Sequence, residues 1–190
     1  MTNIKPLSTI DKNDKYFNIN GVKELLIAKA LTGIMKSQHA CIAIIGDKII
    51  SPPFTNHIRH CMFGKVCFSA HAESSNINYL INIYAKADRE YIYSCVRYMI
   101  KKNEIIYFDD KRWRKFINKF KKIDLIVVRV SSDEKCLSFS KPCAKCIFLM
   151  RVVRINSVYY TNTNGVIEHE LVNEIKSDHK TQSLKYLESL

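Results

Sequence analysis

The chain has 190 residues, of which 47% are apolar and 25% are charged, and its net charge is +12. This length suits one domain, and the composition is that of a globular chain, which excludes a fibrous or intrinsically disordered protein. The positive charge fits attraction to nucleic acid or to nucleotide phosphates. An AT-rich genome that favours lysine codons would give the same charge, so charge alone does not identify a partner.

The predicted elements alternate between helices and strands. A polar N-terminal arm over 1–20 is followed by a helix over 21–37, a hairpin of strands over 40–45 and 48–51, an irregular segment over 54–70 and a helix over 71–87. After a basic segment over 88–122 come a strand over 123–130, a loop over 131–142, a helix over 143–155, strands over 157–161 and 166–172, and a polar tail over 173–190. This order predicts an α/β sandwich, in which the strands at 123–130 and 157–161 run parallel.

The segment 88–122 is rich in charge, with eleven basic and five acidic residues and several aromatic ones between them. One or two helices are expected here. The basic residues around Trp113 and Phe116 allow two interpretations. They form either a clamp that stacks on single-stranded nucleic acid or a solvated basic helix whose aromatic side is buried.

The cysteine content bears on the compartment. Seven cysteines occur, and no apolar stretch of about 18 residues predicts a membrane span. We find no secretory signal pattern at the start of the sequence, so we expect reduced thiols, a cytoplasmic location and no membrane partner. In a reducing compartment, closely spaced cysteines are metal ligands or catalytic groups more often than disulfides.

Two short motifs carry chemistry, and each opens a predicted helix. The first is His-Ala-Glu at 71–73, and the second is Pro-Cys-Ala-Lys-Cys at 142–146. Cys143 and Cys146 are three residues apart on the first turn of a helix, so both sulfur atoms can face one point. With His71 they make three protein ligands, which is the number that a catalytic zinc ion takes while one position stays open for water.

Glu73 is placed differently from the three ligands. It follows His71 by two residues, which is too close for both to chelate one ion comfortably from a regular helix. A carboxylate beside a zinc-activated water can accept its proton and pass it to a leaving group. These roles are those of hydrolytic deamination, in which water attacks an amidine carbon and ammonia leaves.

The ordered pair of motifs resembles the signature of the zinc nucleobase deaminases. Over about residues 21–168 the chain is similar to the cytidine and deoxycytidylate deaminase superfamily, and the resemblance implies a deaminase domain over 21–172. The resemblance implies a three-layer α/β/α sandwich with a mixed central sheet of about five strands, and a Zn²⁺ cofactor. It also implies conversion of a cytosine-type base to uracil in a nucleoside or nucleotide by a homo-oligomer. Histidine in the first motif resembles the deoxycytidylate and tRNA deaminase branches.

The same resemblance implies the residues that contact substrate. Asn56 matches a family position that touches the sugar or base. The backbone around Ala72 and around Ser140 to Pro142 is implied to line the base pocket. The insertion 88–122 is longer than in compact members of the family, which leaves open the size of the substrate and the contacts between subunits.

Several alternatives stay open. Cys61 or Cys67 could add a fourth ligand and close a purely structural zinc site, although such a site would give no reason for Glu73. The enzyme could act on a base within RNA or single-stranded DNA through the basic segment 88–122. The chain could also be a catalytically dead deaminase fold that serves as a binding module.

Overall fold

A computed structural model of the chain describes residues 21–35, 37–131 and 137–179. The predicted N-terminal arm and most of the predicted tail lie outside these residues. The helices are α1 (Val22–Leu31), α2 (Ala72–Tyr84), α3 (Arg89–Lys102), α4 (Lys111–Phe120) and α5 (Ala144–Val153). The strands are β1 (Gln38–Ile45), β2 (Lys48–Ile49), β3 (Phe54–Thr55), β4 (His57–Met62), β5 (Lys65–Ala70), β6 (Asp124–Val130), β7 (Leu137–Ser138), β8 (Ser157–Thr161) and β9 (Ile167–Leu171).

The main sheet is mixed, as predicted. Five strands follow one path in the order β2-β1-β6-β8-β9, and the short strands β3 and β7 pair with β1 and β6. β6 and β8 run parallel with α5 between them, whereas the other neighbours are antiparallel. The predicted α/β class and the predicted parallel pair are therefore confirmed.

Helices cover both faces of this sheet because its central strands are apolar on both sides. Along β1, Ala40 and Ile42 belong to one buried cluster, which α1 covers. The alternate residues Cys41 and Ala43 belong to a larger cluster, which also contains buried side chains of α2, α3, α4 and α5. Successive side chains of a strand point to opposite faces, so β1 serves two cores. The arrangement is compatible with a three-layer sandwich.

The prediction of an irregular segment over 54–70 was wrong. The chain forms β3 and then an antiparallel hairpin of β4 and β5, paired from His57 opposite Ala70 to Met62 opposite Lys65. Three large apolar side chains of the hairpin, Ile58, Val66 and Phe68, are 54%, 64% and 71% exposed, so apolar residues do not mark its buried face. The period-two pattern that identifies a strand is therefore broken, and the sequence did not reveal it.

The basic segment forms two amphipathic helices, α3 and α4. In α4, Trp113, Phe116 and Phe120 are buried in the larger core, and the basic side chains face solvent. The carboxylate of Asp110 caps the helix by accepting a hydrogen bond from the backbone N–H of Arg112 at 2.7 Å. The interpretation of Trp113 and Phe116 as a stacking clamp was wrong, and that of a solvated helix with a buried aromatic side is confirmed.

This packing predicts a large effect on stability. Replacing Phe116 by alanine removes a ring that is 3% exposed and leaves a cavity. We expect the free energy of unfolding to fall by about 3–5 kcal/mol. Urea titration followed by circular dichroism measures this change. Tyr98→Ala, at a tyrosine that is 48% exposed, is the control. Equal losses for the two variants would show that α4 is not packed on the core.

The chain beyond β9 returns along α5 towards the start of that helix. Arg151 on α5 donates from its guanidinium to the carbonyl of Val172 at 2.9 Å and to the carbonyl of Ile175 at 2.6 Å. The backbone N–H of Ala144, in the first turn of α5, donates to the carbonyl of His179 at 3.0 Å. Residues 173–179 thus lie against α5 and end beside its N-terminus.

None of the helices described, from α1 to α5, combines the length and apolar character of a membrane span.

Candidate metal centre

His71 lies at the junction between β5 and α2. It is the N-cap residue of α2, and its carbonyl accepts hydrogen bonds from the backbone N–H of Ser75 and from the hydroxyl of Ser74, both at 2.9 Å. Asn76 ties the same helix to β1 by donating to the carbonyl of Cys41 at 3.2 Å. These bonds hold the start of α2 against the sheet, and with it the backbone of His71.

Cys143 occupies the equivalent place on α5. It is the N-cap residue, with φ −70° and ψ 160°, and Cys146 follows in the first turn. The preceding loop is anchored through Ser140, whose hydroxyl donates to the carbonyl of Val127 at 2.8 Å and accepts from the N–H of Thr161 at 2.7 Å. The loop is therefore fixed to β6 and β8, which sets where the two thiols lie.

The three side chains meet at one point, as the sequence predicted. The His71 Nδ1 atom lies 3.6 Å from the Cys143 sulfur and 3.4 Å from the Cys146 sulfur. The ligand atoms of the three residues are all within 4.8 Å of one another. Two thiols and an imidazole are a donor set that suits zinc, so the residues present fit this metal.

A fourth protein ligand is not part of this group. In the ranges 21–35, 37–131 and 137–179, the only set of three or more histidine, cysteine or acidic side chains that fits a metal ion is the one just described. Cys61 and Cys67 lie on the β4–β5 hairpin outside it. The described part of the chain therefore favours a site with three protein ligands over a closed structural one.

Burial and mutual contact change the proton affinities of the ligands. The neighbouring Cys143 thiol and burial raise the pKa of Cys146 well above its usual range. Burial lowers the pKa of His71, but its hydrogen bond with Cys143 and the charges of Glu73 and Cys143 outweigh this effect, so the net shift is upward. Without a metal, the Cys146 thiol therefore holds its proton at neutral pH.

The raised thiol pKa predicts strongly pH-dependent metal binding. Zinc binds thiolates, so at least the proton of Cys146 must leave when it enters. We expect the zinc dissociation constant to fall by about tenfold or more for each unit of rising pH near neutrality. Competition with a chelator of known affinity between pH 6 and 8 measures this slope. A dissociation constant that is independent of pH would show that the thiols are not the ligands.

Glu73 lies in the first turn of α2 and is 3% exposed. Its carboxylate is close enough to the Cys146 thiol for a hydrogen bond and also feels the charges of His71 and Cys143. Burial raises the pKa of this carboxyl group. A buried carboxyl with a raised pKa beside a metal site is suited to accepting and returning a proton.

The four residues expected to contact substrate lie on the two sides of this centre. Ala72 is buried, and its N–H donates to Asn56 Oδ1 at 2.9 Å, so these two residues are in direct contact. Pro142 is buried immediately before Cys143. Ser140 is 1% exposed, and its hydroxyl is engaged by β6 and β8. Their contact with a substrate stays a prediction.

Sequence reasoning missed two side chains on the sheet beside the centre. His39 on β1 and Arg129 on β6 are directly opposite each other. Burial, Arg129 and His71 lower the pKa of His39 to about 4, so its imidazole is neutral at pH 7. The available signal was weak, because each residue lies near the end of a predicted strand and no motif marks it.

No family model matches the chain, and the searches of curated proteins and of solved structures gave no match either.

Proposed function

We propose that the chain is a zinc-dependent hydrolytic deaminase with a cytidine deaminase-like fold, which converts a cytosine-type base to uracil in a nucleoside or nucleotide. The observation that carries the proposal is the convergence of His71, Cys143 and Cys146 at one point, with the buried carboxyl of Glu73 beside them. A site of three ligands with an adjacent buried acid is expected of a hydrolase rather than of a structural metal centre.

In this proposal three side chains bind the metal and a fourth transfers a proton. His71, Cys143 and Cys146 would hold the metal, and zinc bound there would supply a nucleophilic water molecule by lowering its pKa towards about 7. The reaction replaces the exocyclic C–N bond of the base by a C–O bond, so a proton from water must reach the departing nitrogen. Glu73 is the residue that moves it. Its burial excludes bulk water, and its raised pKa brings it closer to neutral pH, where proton transfer in both directions is efficient.

Ammonia release tests this proposal directly. The full chain is loaded with one equivalent of zinc and offered cytidine, deoxycytidine and their 5′-monophosphates, with adenine and guanine counterparts beside them. We expect ammonia and a deaminated product from at least one cytosine compound. Turnover of an adenine or guanine compound alone would show that the substrate base is adenine or guanine and not cytosine. A zinc-loaded, folded chain that releases no ammonia from any monomer or oligonucleotide would overturn the proposal.

A second candidate is deamination of a base within RNA or single-stranded DNA. It is favoured by the net charge of +12 and by the basic face of α4, where the Arg112 and Arg114 side chains are 49% and 66% exposed. Binding through this face would use charge, because Trp113 and Phe116 are buried and do not offer stacking surfaces. Turnover confined to oligonucleotides, with affinity that falls steeply as salt rises, would favour this candidate.

A further inference from the structure

His39 and Arg129 share the face of the sheet on which the metal centre lies. They are register partners across β1 and β6, and the next pair on the same face is Cys41 opposite Val127. Cys41 and Val127 are fully buried in the core that also contains Cys143. His39 and Arg129 are only half-buried. They therefore lie where this face of the sheet opens to solvent beside the metal centre.

His39 is connected to the start of α2 by a chain of hydrogen bonds. The N–H of Ala72 donates to Asn56 Oδ1, so the amide nitrogen of Asn56 is the group that faces His39 Nδ1, at 3.3 Å. The hydroxyl of Ser37 lies 3.2 Å from the same Nδ1 atom, and a hydrogen bond with the backbone of Ser37 also holds the ring. The imidazole is therefore fixed beside Arg129 and the start of α2.

The Arg129 guanidinium has an unsatisfied donor. Within the described residues, its Nε atom is buried without a hydrogen-bond partner. Among the residues that the structure describes, none supplies a carboxylate within 4.0 Å of this guanidinium. A half-buried cation without a counter-charge is costly, and sites of this kind are completed by an anionic ligand. The guanidinium fork matches the geometry of phosphate oxygens, which it binds through two parallel hydrogen bonds.

We propose that Arg129 and His39 bind a phosphate group of the substrate, so that the enzyme acts on nucleotides in preference to nucleosides. The Arg129 guanidinium offers only donors, which is what a phosphate requires, and the His39 ring lies directly opposite it on the sheet. The place of this pair beside the start of α2 allows one ligand to reach the metal centre and Arg129 together. This inference rests on the proposed function for the identity of the reacting group. The phosphate belongs either to a free nucleotide or to the backbone of a polymer.

The test measures binding in zinc-loaded full chain that carries Glu73→Gln, so that turnover does not consume the ligand. Calorimetric titrations compare the nucleosides of cytosine, adenine and guanine with their 5′-monophosphates and with a short single-stranded oligonucleotide. We expect one monophosphate to bind at least tenfold more tightly than its nucleoside. Arg129→Gln should remove this preference through a loss of roughly tenfold to a hundredfold for the monophosphate, with the nucleoside unchanged.

Control variants separate recognition from structure. Arg114→Gln removes an exposed arginine of α4 and should leave the preference intact. Arg129→Lys keeps the positive charge but lacks the planar guanidinium fork, and we expect it to lose part of the preference for the monophosphate.

If Arg129→Gln does not fold, a competition experiment on the unsubstituted site tests the inference instead. Inorganic phosphate should displace the monophosphate but not the nucleoside. A preference seen only with the oligonucleotide, and lost in Arg129→Gln, would assign the phosphate to a polymer.

Two results would overturn the inference. One is equal affinity of nucleoside, monophosphate and oligonucleotide for the unsubstituted site. The other is a loss in Arg129→Gln that is the same for the nucleoside as for the monophosphate, because that would be a structural effect. Ammonia release is measured separately with intact Glu73. Absence of ammonia together with a preserved phosphate preference would contradict the proposed reaction while leaving the phosphate site in place.

Discussion

Replacing Glu73 by glutamine is expected to lower ammonia release by about a thousandfold or more while leaving one zinc bound per chain. General acid–base catalysis by a positioned side chain contributes on the order of 10²–10⁴ in rate, and glutamine cannot carry the proton. Glutamine has nearly the same size and can keep the hydrogen-bonding contacts of this buried position, so the metal ligands should stay in place. Steady-state ammonia release and zinc analysis of the same preparation give both numbers.

The matched control is Glu104→Gln, which makes the same chemical change at an exposed position after α3. This variant should keep its full rate. A Glu73→Gln chain that also keeps its rate would show that another group moves the proton. A chain that loses its zinc as well would show that the carboxylate is needed to hold the metal, and the assignment of Glu73 as a proton carrier would then fail.

Replacing Cys143 by serine is expected to abolish both zinc binding and turnover. Serine keeps the shape of the side chain but removes the thiolate, which is the preferred zinc donor at this place. The loss should also appear in stability. Zinc at a thousand times its dissociation constant stabilises a folded chain by about 4 kcal/mol, and the variant forfeits this contribution. Metal analysis and thermal unfolding with and without a chelator measure the two effects.

The control for this change is Cys61→Ser, at an exposed thiol on the β4–β5 hairpin. It should bind zinc normally, and the chelator should lower its melting temperature as it does for the unsubstituted chain. The Cys143→Ser chain should melt at the same temperature with and without the chelator. Retention of one tightly bound zinc ion in Cys143→Ser would contradict the ligand assignment.

The sequence was informative where chemistry is encoded locally. Cys143 and Cys146 are three residues apart, and each motif precedes an apolar pattern of helical period, so both helix starts could be placed to within one residue. His71 and Cys143 prove to be N-cap residues, and α2 and α5 begin one position later than predicted. The predicted convergence of the three ligands is confirmed by the distances between their atoms.

The sequence was uninformative where the outcome depends on register or where apolar side chains face solvent. The β4–β5 hairpin was missed because the apolar residues Val66 and Phe68 are exposed, so the apolar pattern does not follow burial. His39 and Arg129 were missed because only the register of β1 on β6 brings them together. The buried aromatic side of α4 was one of two interpretations, and tertiary packing decided between them.

X-ray absorption at the zinc edge of the zinc-loaded full chain tests the central claim most directly. Three protein ligands with one position left to solvent predict two sulfur scatterers near 2.3 Å and two lighter scatterers near 2.0 Å, of which only one shows the outer-shell pattern of an imidazole. The Cys143→Ser and Cys146→Ser chains should not give this spectrum. A shell of three or four sulfur atoms, or of two imidazoles, would mean that the protein fills every position and that no place remains for a reacting water molecule.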